Sequence, residues 1–489
     1  MTNITGKKIT LPDLEKDLLQ EVLAFYKPRE NEEIWLVGGS IRDLVSGAGT
    51  VPDLDLAVSF NPLPLASEYS RKRNAGFVIL DEERQVVRVV KSYENGHYNV
   101  DIARFRAENI EADLRARDFT INAMAAKINV PFESAELEIF DPLNGFEHLQ
   151  QKKVVACSPQ LFIDDPLRLM RAFRFAALFD AAFSDDLQKM VIEQAELLAT
   201  VSGERIRDEL FKVFATSKSC HWLRIMEQTG ILKIFLPELS NCIGVEQNEW
   251  HHLDVFDHTL LTLENLERLS PPTPLPEWWP MLQEFFNEPI SAGRTYWQSL
   301  KLGCLLHDLG KPACKKENSE NGRIIFHGHE MEGVRMCKEI CERLRLSVNE
   351  LHFLQRIVKN HMRPGVMLQQ GISDKRLFKY YSETGRDGVA IAMLSLADRQ
   401  SAQGSLSEED MQQFSDGILQ IIDEFYQQMK KPKMPPFLSG NDLISEFSLK
   451  PGPRFREILE ALAEAQYTGE ITDRDEAIAF AKELIENLK

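Results

Sequence analysis

The sequence has no C-x-x-C pair, no apolar run long enough to span a bilayer and no excess of positive charge, and each absence narrows what the chain can be. Its seven cysteines are scattered, so neither a zinc ribbon nor a disulfide framework is expected, and they read as reduced thiols of a cytosolic protein. The opening MTNITGKKITLPDLEKDLLQ lacks a signal-peptide apolar core, and the expected setting is the cytoplasm, with no membrane partner. A net charge of −18 excludes a uniformly basic surface. Phosphate contacts need Lys and Arg, so any nucleic-acid surface must be local. Residues 151–218, with ten Lys and Arg against ten Asp and Glu, escape the general acidity. A chain of 489 residues, 43% hydrophobic, can bury several cores and should divide into about three or four domains.

What is there begins with PDLDLAVSF, residues 52–60. In an extended chain Asp53 and Asp55 share a face while Leu54 and Leu56 take the other. Two carboxylates that close repel, and a divalent cation with oxygen ligands is the usual remedy. Upstream, IWLVGGSIRDLVSG reads as a buried strand over 34–37 and a tight turn at Gly38 and Gly39. Ser40 is expected to cap a short helix carrying Arg42 and Asp43. Such a turn lets backbone N–H groups approach an anion, and Arg42 adds a fork of donors. Together the stretches describe a site for a metal-bound triphosphate.

The pattern G-G-x-x-R-D followed by D-x-D resembles the polymerase-β-like nucleotidyltransferases, specifically the bacterial-type tRNA nucleotidyltransferase and poly(A) polymerase family. The resemblance implies that Asp53, Asp55 and a third carboxylate, Asp101 in HYNVDIARFR, are catalytic and hold Mg²⁺. Three carboxylates suit a two-metal attack of an RNA 3′-hydroxyl on the α-phosphate of a nucleoside triphosphate. Gly38, Gly39 and Arg42 would bind the nucleotide. DLRARDFTINAMA is similar to the family's R-R-D-F-T-x-N-A segment, so Arg117, Asp118 and Asn122 are implied ribose and phosphate contacts. Ala116 stands where the family usually has Arg, with Arg115 beside it.

In IDDPLRLMRAFRFA, Asp165 and Pro166 read as an N-cap and N1 pair, with Arg168 one turn on. By themselves they would make a local ion pair on a solvated helix. In the family the equivalents read the incoming base. A carboxylate only accepts and a guanidinium only donates, so the pair suits cytosine and adenine and rejects uracil and guanine. Arg171 and Arg174 extend the basic face, and SGERIRDELFKVF, 202–214, resembles the family's next neck helix.

From about residue 225 the chain reads as helices, interrupted by PPTPLPEWWPMLQEFFNEPISAG, expected to be an irregular insertion. Here lie His258, the pair His307 and Asp308 in LLHDLGKP, His329, His361 and Asp398. Imidazoles with carboxylates suit first-row divalent ions, which can make water nucleophilic. The order resembles the HD-domain phosphohydrolases. That resemblance implies a divalent transition metal or Mg²⁺ on His258, His307, Asp308 and Asp398, with His329 and His361 as additional ligands. The tail, with its basic linker QQMKKPKMPPFLSG and the LKPGP turn at Pro451, Gly452 and Pro453, is similar to the C-terminal tRNA-binding segment of many relatives.

The expected fold is α+β, a small mixed-sheet nucleotidyltransferase head followed by all-α neck, HD and tail domains. The expected domains are 1–155 for the head, 156–222 for the neck, 223–430 for the HD region and 431–489 for the tail. The implied activity is tRNA nucleotidyl transfer from CTP and ATP with release of pyrophosphate, with an HD phosphohydrolase activity beside it. Only AENIEADL separates the third-carboxylate strand from the R-x-R-D segment, where family members that add the whole CCA end have a longer flexible segment. That favours CC addition, then CCA, with A addition and poly(A) synthesis behind. An HD phosphohydrolase whose head only binds RNA or nucleotide is the reading of another class. A homo-oligomer stays open.

Overall fold

The computed structural model describes residues 4–47, 52–93, 96–247, 252–318, 322–402, 407–430, 435–450 and 452–487. Pro451 and linker residues 431–434 lie outside the described residues. The chain divides into two compact units, Met1–Thr216 with Gln228–Ile234, and Ser217–Glu227 with Phe235–Lys489.

The first unit is built on an eight-stranded sheet: β1 (Ile4–Thr10), β2 (Ile34–Val37), β3 (Asp53–Val58), β4 (Gly76–Asp81), β5 (Val86–Tyr93), β6 (Gly96–Arg104), β7 (Ala125–Ile128) and β8 (Glu136–Phe140). Their order is β1-β8-β7-β2-β3-β6-β5-β4, and only β3 and β6 run parallel. Leu54, Leu56, Val100, Ile102, Val87 and Val89 point to one face and are fully buried. They pack with Leu18 and Leu19 of α1 (Asp13–Leu23), and α2 (Gly39–Val45) follows β2. Leu65, Ala66 and Tyr69 of α3 (Leu63–Arg73) complete this core. Strict alternation then sends Asp53, Asp55 and Ala57 to the opposite face, where Ala57 joins a smaller core with Val37, Ile110 and Leu114 of α4 (Ile110–Arg115).

Beyond the sheet, α5 (Gly145–Gln150), α6 (Leu161–Asp164), α7 (Arg168–Phe179), α8 (Asp185–Gln194) and α9 (Gly203–Phe214) complete this unit's main helices. Leu169, Ala172, Phe173 and Ala176 line the buried stripe of α7, which packs on α9. The helix expected to start at Asp165 begins instead at Arg168, because Asp165 adopts an extended backbone that closes α6. Its carboxylate accepts from the Leu167 N–H at 3.3 Å.

The second unit is helical, with helices Val255–Arg268, Tyr296–Leu306, His329–Arg343, Val348–Asn360 and Asp387–Ser401 at its centre. The tail helices Gly440–Phe447, Pro453–Thr468 and Arg474–Asn487 enclose their own core around Leu443, Ile458 and Ala477. Three short ladders interrupt the expected all-α regions, pairing 153–154 with 182–183, Pro289–Ser291 with Arg294–Thr295, and Lys316–Glu317 with Ile324–Ile325. The insertion expected to be irregular holds a helix, Trp279–Asn287. Its Pro280 sits in the first turn, where the missing N–H costs nothing, and Trp279, Leu282, Phe285 and Phe286 bury one face. Among the described residues no helix is long and apolar enough to cross a membrane.

Candidate active sites of the two units

The head site follows from register. Asp55 on β3 is the Cα partner of Asp101 on β6, and directly paired residues project to one face, so Asp53, Asp55 and Asp101 stand together. The turn at Gly38 and Gly39 abuts them. Gly38 has φ +68°, and a Cβ there would lie 3.0 Å from Arg117 Nη1 and 3.3 Å from Asp55 Oδ2. Helix α2 begins at Gly39 with Gly38 as N-cap, not after a Ser40 cap. Ser40 is buried instead, its Oγ donating to Asp53 O at 3.0 Å and accepting from Asp55 N at 2.8 Å, which pins the turn to β3.

The three carboxylates have different surroundings. Asp53 accepts from Asn99 Nδ2 at 2.7 Å, and Asp101 is gripped by Arg88 at two 2.7 Å contacts. Burial pushes the Asp55 carboxyl up to about 6; Arg117 opposes this, and Asp101 and Asp53 add to it. A buried carboxylate pushed up by two others is a group that a cation would restore to charge, and an all-oxygen donor set suits a hard divalent ion. The head residues therefore fit a divalent metal.

Around this face lies a cleft of about 1660 Å³ that also contains Arg42, Arg117, Asp118, Asn122, Asp165, Arg168, Arg171 and Arg174. A chain of hydrogen bonds ties its walls together. Arg42 donates to Asn122 Oδ1 at 2.6 Å, and Asn122 Nδ2 donates to Asp118 Oδ1 at 2.9 Å. Arg171 Nε donates to Asp118 Oδ2 at 2.9 Å. Burial raises the Asp118 pKa, but Arg171 and the hydrogen bonds from Asn122 and Arg171 outweigh it and hold the group at about 2. Arg117 is braced by Asp113 at 3.0 Å. Arg174 pairs with Glu209 and lies over the Phe175 ring at 4.1 Å. Arg115 points away, onto Glu111.

Asp165 and Arg168 do not make the local ion pair that their spacing permits. Asp165 is held by Arg205 of α9 at 3.2 Å, while Arg168 donates to Leu161 O at 3.4 Å and Ala116 O at 3.2 Å. Arg88 and Arg205 were missed by sequence reasoning. Arg88 carried a signal, a lone charge in the apolar run VVRVV, of the kind that drew attention to Asp101. Arg205 carried none beyond its neck-helix match.

In the second unit all six expected ligands converge, in two groups: His258, His307 and Asp398, and Asp308, His329 and His361. His258 Nε2 lies 2.9 Å from Asp398 Oδ1, and His307 Nε2 lies 3.2 Å from Asp308 Oδ2. His329 Nε2 and His361 Nε2 lie 3.4 and 3.7 Å from Asp308 Oδ1. Position at helix ends explains the aim. His307 and His361 are the C-caps of Tyr296–Leu306 and Val348–Asn360. Their Nδ1 atoms face the free carbonyls of Cys304 at 2.7 Å and Val358 at 2.8 Å. His329 instead opens its helix, and its Nδ1 lies 2.9 Å from Phe326 O, which also accepts from the His329 backbone N–H at 3.1 Å. A proton on Nδ1 donates to each of these three carbonyls and leaves the Nε2 lone pair directed inward.

Among the described residues, His307 Nε2 and Asp308 Oδ1 are buried without a hydrogen-bond partner. Burial lowers the His307 pKa, yet Asp308 and Asp398 carry it up to about 10, as expected of a centre built for positive charge. These residues too fit a divalent ion. Two partners were missed: Lys311, 2.6 Å from Asp308 Oδ2, and Ser401, 2.9 Å from His258 Nδ1. Each lies three residues beyond a ligand, spacing that could have flagged it.

Comparison with known proteins agrees with both sites. The Poly A polymerase head domain family matches residues 34–155, the probable RNA and SrmB-binding site of polymerase A matches 182–243, and the HD domain matches 255–425. The A-adding tRNA nucleotidyltransferase of Deinococcus radiodurans is 31% identical over 455 residues, covering 91% of this chain and 94% of that protein. The CC-adding tRNA nucleotidyltransferase of Thermus thermophilus is 26% identical over 93% of this chain and 94% of that protein. The Thermotoga maritima CCA-adding enzyme complexed with tRNA shares the fold, with a TM-score of 0.60 and 22% identity over 97% of this chain and 95% of that chain. Near-complete coverage by such relatives, an intact carboxylate face and an intact HD cluster lead to one conclusion: the chain is an enzyme of the tRNA nucleotidyltransferase and poly(A) polymerase family, a nucleotidyltransferase that carries an HD domain.

Proposed function

We propose that the head adds cytidine nucleotides from CTP to the 3′ end of tRNA, and that the division of labour follows the segments 1–155, 156–222, 223–430 and 431–489, as head, neck, HD domain and tRNA-binding tail. Asp53, Asp55 and Asp101 would hold Mg²⁺ in the head, and the six His and Asp side chains a transition metal or Mg²⁺ in the HD domain; bound there, these ions supply Lewis acidity to phosphoryl chemistry. The Gly38–Gly39 turn and Arg42 receive the triphosphate, and Arg117 and Arg171, braced by Asp113 and Asp118, offer donors without side-chain reorganisation. Asp165 and Arg168 are each anchored from behind, by Arg205 and by backbone carbonyls, which supports their use as a rigid acceptor and donor for the cytosine edge. The RNA 3′-hydroxyl attacks the α-phosphorus, its oxygen forms the new ester bond, and pyrophosphate leaves. The seven free cysteines support a cytoplasmic setting.

The observation that carries CC addition is the connection from β6 to α4, only residues 105–109. Full CCA addition shares the same chemistry. The A-adding activity named for the Deinococcus radiodurans relative favours a second reading, addition of the terminal A. Product sequencing separates them. With tRNA transcripts ending at the discriminator base, at C and at CC, supplied with CTP and ATP, extension should stop at CC. Robust A addition to the CC-ended transcript would replace CC addition by CCA or A addition, and long A tails on unrelated RNA would indicate a poly(A) polymerase.

A further inference from the structure

Strand β5 brings a cation onto the carboxylate face. Arg88 is the direct cross-strand partner of Asp101, and its Nε and Nη2 each donate to one Asp101 oxygen at 2.7 Å. Such a fork on a carboxylate is a strong, oriented contact. It also places a full positive charge on one of the three groups that fit the head's divalent ion. A guanidinium and a divalent cation on the same carboxylate repel, whatever lone pairs remain. The Arg88 and Asp101 side chains keep 37% and 23% of their exposure, so the guanidinium has room to turn within the cleft that both residues line. The anion this cleft is proposed to receive, a nucleoside triphosphate, is a better partner for it than a carboxylate already shared with a metal.

We propose that Arg88 is a positioning residue that holds Asp101 until the divalent ion arrives and then passes to the triphosphate, so that ion and nucleotide bind cooperatively. The proposal rests on the reading of the head as the nucleotidyl-transfer site. Its chemistry is exchange of ion pairs, with no bond made or broken. The exchange removes a repulsion that metal alone must overcome, and by linkage each ligand then tightens the other by the same factor.

The test reads metal at its own site rather than turnover. Full-length protein is titrated with Fe²⁺ in the presence of ascorbate, and oxidative chain cleavage is followed as fragments from the head carboxylates and, separately, from the HD cluster, which serves as an internal reference. In Arg88→Gln without nucleotide, the Fe²⁺ midpoint of the head fragments should fall about fivefold while that of the HD fragments stays fixed. A non-hydrolysable CTP analogue should lower the wild-type head midpoint by a similar factor and the Arg88→Gln midpoint by less than about twofold. Arg88→Lys, which keeps a cation but not the fork, should lie between, and carries the test if the Gln variant does not fold. An equal or higher head midpoint in the nucleotide-free variant overturns the proposal. Absence of head fragments in every protein, with HD fragments present, would instead reject the head metal site itself.

Discussion

At the scale of single residues, the site depends on a glycine and a serine as much as on its carboxylates. Gly38 adopts φ +68°, with the Arg117 and Asp55 side chains filling the space a Cβ would take. With ψ at −130° Gly38 lies outside the left-handed helical region, so Gly38→Ala should cost roughly 1–3 kcal/mol of head stability from backbone strain and, by displacing Asp55, lower CMP incorporation about tenfold or more. Thermal unfolding and steady-state incorporation measure the two effects, and unchanged incorporation would contradict the close fit drawn here. The candidate site residues were legible because they break local pattern: aspartates set in apolar strands, paired glycines after a strand, histidines in order along helices. Their partners were less legible. Arg205 acts on Asp165 across 40 positions of sequence, and no local period announces such a contact. Ser40 read as a helix cap because Ser before a helix usually caps, whereas here its hydroxyl bridges to β3.

At the scale of elements, β3 and β6 show why the sheet's register was half readable. Alternation assigned each side chain to a face, but only the parallel pairing of Asp55 with Asp101 puts the third carboxylate beside the other two. Pairing across 46 residues is set by the whole sheet and not by either strand. Likewise Trp279–Asn287 was hidden by Pro280 and the prolines on either side of it, although its buried positions repeat at helical spacing. Helix α7 carries the specificity argument. It presents Arg168, Arg171 and Arg174 at three-residue steps toward the cleft, while Asp165 precedes it in an extended backbone. Wild-type enzyme should use CTP and discriminate strongly against UTP and GTP, and Asp165→Ala should erode that discrimination by about 1–3 kcal/mol, or roughly 5- to 150-fold. Rates with four separate triphosphates measure this, and similar wild-type rates with all four would remove the base-reading role.

At the scale of the whole molecule, two compact units each carry a complete set of charged side chains suited to phosphoryl chemistry. All six candidate HD ligands come from the second unit and all three head carboxylates from the first. Replacing His307 and Asp308 together by Ala should eliminate any metal-dependent phosphatase or 2′,3′-cyclic phosphodiesterase activity and leave nucleotide addition within about twofold of wild type, since the two sets of side chains belong to separate units and additivity is expected of independent sites. A folded double variant that no longer extends tRNA would show that the two activities are coupled. The central claim, that the Asp53, Asp55 and Asp101 face performs nucleotidyl transfer, is tested most directly by incorporation of labelled CMP into tRNA ending at the discriminator base, comparing wild type with Asp53→Ala and Asp55→Ala of matched circular dichroism. Each variant is expected to lose at least about a thousandfold in rate; near-normal incorporation by either folded variant with Mg²⁺ would contradict that role.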